Sequence, residues 1–116
     1  MPKRSTDPTV AARTARDAVE KLNHATAETG IPAPVISATT QTVLNLLQHL
    51  PQALEQLTWE IAARQRANEI RMDDGTDPAD AVREVDEAMR ATVRALQVAA
   101  TRLQRAATPL FHMATR

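Results

Sequence analysis

Five acidic residues, Asp73, Asp74, Asp77, Asp80 and Glu84, fall within twelve consecutive positions, the length of an EF-hand calcium loop. Counted from Asp73, carboxylates stand at loop positions 1, 5 and 12. Position 6, which needs glycine for its sharp turn, is Pro78, and position 3 is Gly75, which offers no side-chain ligand. The register fails. A turn, a helix cap and an acidic first helical turn facing the positive end of the macrodipole account for the same residues.

The three histidines, His24, His49 and His112, lie on separate segments without the i,i+4 spacing of a metal pair. No glutamate has a histidine three residues later, so the step that builds a carboxylate dimetal centre in a helical bundle is missing. Two isolated glycines cannot form a phosphate-cradling loop, and neither Ser5 nor Ser37 sits in a nucleophile elbow. With no cysteine in the chain, thiol catalysis and cysteine-ligated metals are excluded. The residues predict no enzyme, no cofactor and no metal.

Charge placement near the C-terminus carries more information. Residues 69–87 hold eight acids and two arginines, whereas residues 88–116 hold five arginines and no acid. At about 100° per residue, Arg83, Arg90, Arg94, Arg102 and Arg105 project within roughly one third of a helix circumference. Such a stripe, about 33 Å long at 1.5 Å per residue, is suited to follow a phosphate backbone. A solvated outer face with acids at the helix start and bases at its end explains the same residues through the dipole, and this is the favoured reading. Lys3, Arg4, Arg13 and Arg16 would widen the basic surface if the first helix packs beside the last. No helix-turn-helix signature supports base reading, so DNA contact would be backbone-directed.

Trp59 is the one large amphipathic side chain in the middle of the chain. It falls off the main apolar series, either widening the core or anchoring an interface, where tryptophan is enriched.

The elements that hold these residues follow from composition and punctuation. The chain has 116 residues, of which 22 are alanine, 14 threonine and only 28 large and apolar. Trp59 and Phe111 are the only aromatics, too few for a platform that stacks single-stranded nucleic acid. Fourteen basic residues balance fourteen acidic ones, so there is no global basic field. No apolar run reaches the ~18 residues of a membrane span. The opening MPKRSTDP lacks the apolar stretch of a secretory signal, and a cytoplasmic location is expected.

The tripeptide Thr-Asp-Pro occurs at 6–8 and again at 76–78. In each copy aspartate can cap a first helical turn, and proline fits the next position because its missing N–H would be unpaired there. Gly30 and Gly75 mark helix stops, since glycine adopts the left-handed conformation at little cost. The first helix is placed at roughly 8–29, followed by a stiff extended linker Ile31–Pro34. A second series, Ile36, Val43, Leu47, Leu50, Leu54, Leu57 and Ile61, passes through Pro51 and ends near Met72. Pro51 either kinks one long helix or starts a new one. The last helix, roughly 78–108, carries Val82, Val85, Met89, Thr92, Leu96, Ala99, Leu103, Ala106 and Leu110 at alternating steps of three and four, a heptad seam of the coiled-coil type, with Pro109 ending it.

The predicted fold is therefore all-α, an up-and-down bundle of three long helices with the middle one kinked or split at Pro51. Residues 1–6 form a flexible basic tail, 7–109 a single domain and 110–116 a short C-terminal tail. A first helix shorter than the other two leaves leucine-rich surface uncovered, most simply buried by a second copy. The expectation is a non-catalytic oligomerisation or adaptor protein, a homodimer or a partner of another helical protein. Its contact surface would be Leu47, Leu54, Trp59, Ile61, Leu96 and Leu103. An accessory DNA-binding protein using Arg83, Arg90, Arg94, Arg102 and Arg105 is the alternative.

Overall fold

The computed structural model describes residues 7–114 and 116, and the regular structure among those residues is entirely α-helical. The basic tail expected at 1–6, with Lys3 and Arg4, lies outside them. Three helices follow one another: α1 (Pro8–Thr26), α2 (Ala33–Arg66) and α3 (Pro78–Phe111). The chain divides at Pro32 into two units, which are taken in turn.

In the first unit Asp7 caps α1 as its position predicts: its side chain accepts from the Thr9 amide at 2.9 Å. The helix stops at Thr26, whose hydroxyl donates to the carbonyls of Leu22 and Asn23. Gly30 has φ 79°, but it turns the chain four residues beyond the helix end rather than closing the helix. The helix is closed earlier by the Ala27 amide, which turns back to the His24 carbonyl at 3.2 Å, three residues behind it. No residue of α1 is buried.

The second unit is a hairpin of α2 and α3, each 34 residues and therefore about 51 Å long. Leu44 clusters with Leu103 and Ala107, while Thr58 shares a cleft with Met89 and Val93, so the two helices run antiparallel. Leu44, Val93, Ala100 and Ala107 are the buried apolar residues, with Leu44 fully enclosed. Alanine at 100 and 107 removes bulk where the helices meet, which lets their axes approach closely.

Pro51 lies inside α2, and the chain does not divide there. Proline's own φ is helical, so its cost is the lost bond to the Leu47 carbonyl and the fit of its ring. That ring is buried in the seam and lines a cleft with the small Ala100. The expected linker is also corrected. Ala33 and Pro34 belong to the first turn of α2, where a missing amide leaves nothing unpaired.

α2 ends at Arg66, not near Met72. Its stop is Asn68, at φ 59°. The Glu69 amide donates to the Arg64 carbonyl and the Asn68 amide to that of Gln65, both at 2.9 Å, the bond pair of a Schellman motif. Where that motif usually has an apolar contact, Arg64 and Glu69 form an ion pair at 3.3 Å. Gly75, at φ 82°, serves the following loop. There Asp74 accepts from the Thr76 amide and hydroxyl at 3.1 and 2.8 Å, and these bonds hold its carboxyl below the usual aspartate range, the hydroxyl contributing most.

Asp77 then caps α3 by accepting from the Ala79 amide at 3.0 Å. Pro109 does not end this helix, which continues to Phe111. The proline's missing amide frees the Arg105 carbonyl alone, the same single bond lost at Pro51. The last turn then tightens, with the His112 and Met113 amides reaching back three residues.

Threonine abundance has a local explanation. Eight of the twelve threonines among the described residues, including the buried Thr58, donate their hydroxyl to the carbonyl four residues back. The hydroxyl is satisfied within the helix and the methyl is left to pack.

Candidate interaction surface

The buried residues fix how α2 and α3 face each other. On α2 the seam is Leu44, Leu47, Pro51, Leu54, Thr58 and Ile61; on α3 it is Met89, Val93, Leu96, Ala100, Leu103 and Ala107. Leu47, Leu54, Ile61, Leu96 and Leu103, five of the six residues expected to meet a partner, are half-buried within this seam. Leu47 and Leu103 pack directly on the core cluster. The alternate row on α3 is Val93, Ala100 and Ala107, one residue along from the expected Thr92, Ala99 and Ala106. The corresponding row on α2 is Leu44, Pro51 and Thr58, one residue along from Val43, Leu50 and Leu57.

That shift exposes a flank of the hairpin. Leu50 is 38% exposed, Leu57 47%, and Ile36 41%. With the half-buried Val43 they form a row repeating every seven residues along α2. Leu46, 37% exposed, stands beside it. On α3 the matching flank is Val85, Thr92, Ala99 and Ala106, all exposed.

The opposite flank is polar. A cleft of about 260 Å³ is lined there by Glu55 and Trp59 of α2 and by Arg90, Arg94 and Gln97 of α3. A second, shallower cleft along the same flank is lined by Gln48, Gln97 and Gln104. Because these residues of both helices share clefts, the other flanks, Leu50/Leu57 and Thr92/Ala99, lie together on the far side of the hairpin. Trp59, 68% exposed, therefore belongs to the polar side and not to the leucine row. The cleft beside it is smaller than the ~300 Å³ at which small-molecule sites begin, and its lining mixes four charged side chains with Trp59, Met89 and Val93.

The arginine stripe is not uniform. Arg83 pairs with Asp80, and Arg90 pairs with Asp86 at 2.8 Å. Among the described residues Arg94, Arg102 and Arg105 make no ion pair, and they share the outer face of α3 with Val98 and Thr101. This leaves about 17 Å of unpaired basic surface, half the length expected. On α1, Arg16 is engaged by Asp17 at 3.0 Å.

His49 Nδ1 lies 2.6 Å from the Asn45 carbonyl, and the His112 ring stands edge-on to Phe111 at 5.4 Å. Among the described residues no three His, Asp or Glu side chains are grouped to hold a metal ion, and no helix is long and apolar enough to cross a membrane.

Ile36, Val43, Leu50 and Leu57 were visible in sequence as members of one apolar series, but the series is two rows. The signal that separates them is its width. Apolar residues on α2 cover about 160° of the helix, more than one partner helix can bury, since a seam of two rows is narrower. No protein-family profile, no curated protein and no solved structure matches the chain.

Proposed function

We propose that this chain is a non-catalytic helical adaptor that self-associates and acts by packing helix against helix. The supporting observation is the second apolar flank of the α2–α3 hairpin, where Ile36, Leu50 and Leu57 stay exposed and Val43 half-buried after the seam is filled. Among its described residues the hairpin buries Leu44, Pro51, Val93, Ala100 and Ala107 and no other apolar side chain, which is little core of its own, and small folds of this kind gain stability by oligomerising.

Light-scattering mass on a sizing column tests the reading. A self-associating chain elutes at twice 12.7 kDa or a higher multiple, and a mass of one chain at all loadings contradicts it. The second reading, backbone contact with DNA, is favoured by the unpaired Arg94, Arg102 and Arg105. The same column run with a short duplex at low salt separates the two, because phosphate contact produces a complex that dissociates steeply as salt rises.

A further inference from the structure

We infer that the occupant of the apolar flank is a second copy of this chain, seated so that the α2 leucine row of each hairpin lies in the alanine-lined α3 flank of the other. This inference rests on the self-association proposed above and names the face that carries it.

Three observations point to a second copy. The first is shape. The flank has a ridge on one helix, Val43, Leu50 and Leu57, and small residues on the other, Thr92, Ala99 and Ala106. A two-fold interface must be self-complementary, with each contact repeated in reverse. A ridge beside a trough on one surface meets that requirement, because rotation by half a turn sets each ridge over the other copy's trough. The second is charge. Neither row carries an ionisable side chain over this span, so no charged partner is called for, whereas the polar flank bears Glu55, Arg90 and Arg94. The third is area. From Ile36 to Leu57 the row runs about 32 Å, and two adjacent helices are about 20 Å across. The resulting ~600 Å² per copy, ~1,200 Å² in all, reaches the range of stable interfaces.

The test uses the full chain. Leu50→Glu with Leu57→Glu places charge on the apolar flank, and Gln48→Glu with Gln97→Glu places it on the polar flank. Far-UV circular dichroism checks that both remain helical. In parallel, a single cysteine is introduced into this cysteine-free chain at Ala99 or at Gln97, and maleimide labelling is timed. The expected result is a two-fold fall in mass for the leucine double variant alone. Labelling at Ala99→Cys should be at least ten-fold slower than at Gln97→Cys, with the difference vanishing on dilution to single chains. The labelling comparison stands even if the leucine variant fails to fold. If the wild type is a dimer but both cysteines label equally fast, this face is overturned and self-association stands. If the wild type is a single chain with Ala99→Cys still protected, the chain's own first helix is the occupant, and both proposals fall. A single chain with fast labelling at both positions also overturns both.

Discussion

Pro51 is buried in the seam between α2 and α3, while Leu50, one residue earlier, is 38% exposed on the flank of the hairpin. A leucine outside and a proline inside inverts the usual preference, and the same inversion recurs one heptad later, where Thr58 is buried and Leu57 is exposed. Two heptads with the leucine on the outside leave the apolar flank on which the proposed self-association rests.

Among the described residues Leu44 is the only fully enclosed large side chain, so the hairpin depends on it disproportionately. Leu44→Ala should lower stability by about 3 kcal/mol, within the range for buried leucine truncations. Thermal or urea unfolding followed by circular dichroism reads this. A loss under about 1 kcal/mol would place the core elsewhere.

At Asn68 the backbone is left-handed, and only glycine relaxes that cost fully. Asn68→Gly should raise the midpoint of unfolding slightly, and Asn68→Val should cost about 1–2 kcal/mol. Equal effects of the two changes would argue against the Schellman end of α2.

The two aspartate caps belong to different units and should separate in their effects. Asp77→Ala should destabilise the hairpin by about 1 kcal/mol. Asp7→Ala should reduce the helical signal of α1 and leave hairpin unfolding unchanged. Hydrogen exchange resolved by residue distinguishes them.

Thr76→Val removes the hydroxyl that donates to Asp74, so the carboxyl should titrate at higher pH than in the parent chain. Because the folded value is depressed, the bond's contribution to loop order is full above the ordinary aspartate range and fades as pH falls through the lowered value. An NMR titration of Asp74 follows this directly, and an unchanged titration would show that the bond does not hold in solution.

Reversing the three unpaired arginines, Arg94→Glu, Arg102→Glu and Arg105→Glu, tests the alternative function. An adaptor should keep its mass, because these side chains lie on the outer and polar faces of α3. A DNA-binding protein should lose its complex, with the salt slope falling by about one per phosphate contact removed.

What was legible in the sequence was what is local. Asp7 and Asp77 announce their helices because a cap needs only its own next residues. Helix ends were less legible. Gly30 and Gly75 do adopt positive φ, but α1 and α2 are closed first, at Ala27 and Asn68, through backbone hydrogen bonds that composition does not display. The seam was half readable. Leu47, Leu54 and Ile61 stood out, as did Leu96 and Leu103, yet the rows between them are filled by Pro51, Thr58, Ala100 and Ala107. Alanine, threonine and proline carry little hydropathic signal. The eye therefore follows Leu50 and Leu57 into a core they do not enter. The arginine stripe was readable as a set, but which members pair with Asp80 and Asp86 depends on side-chain geometry.

Self-association is the claim on which the functional account turns, and sedimentation equilibrium over a hundred-fold dilution of the unmodified chain tests it most directly. The account predicts twice 12.7 kDa at high concentration, with dissociation toward single chains on dilution. A mass of 12.7 kDa at every concentration would contradict it.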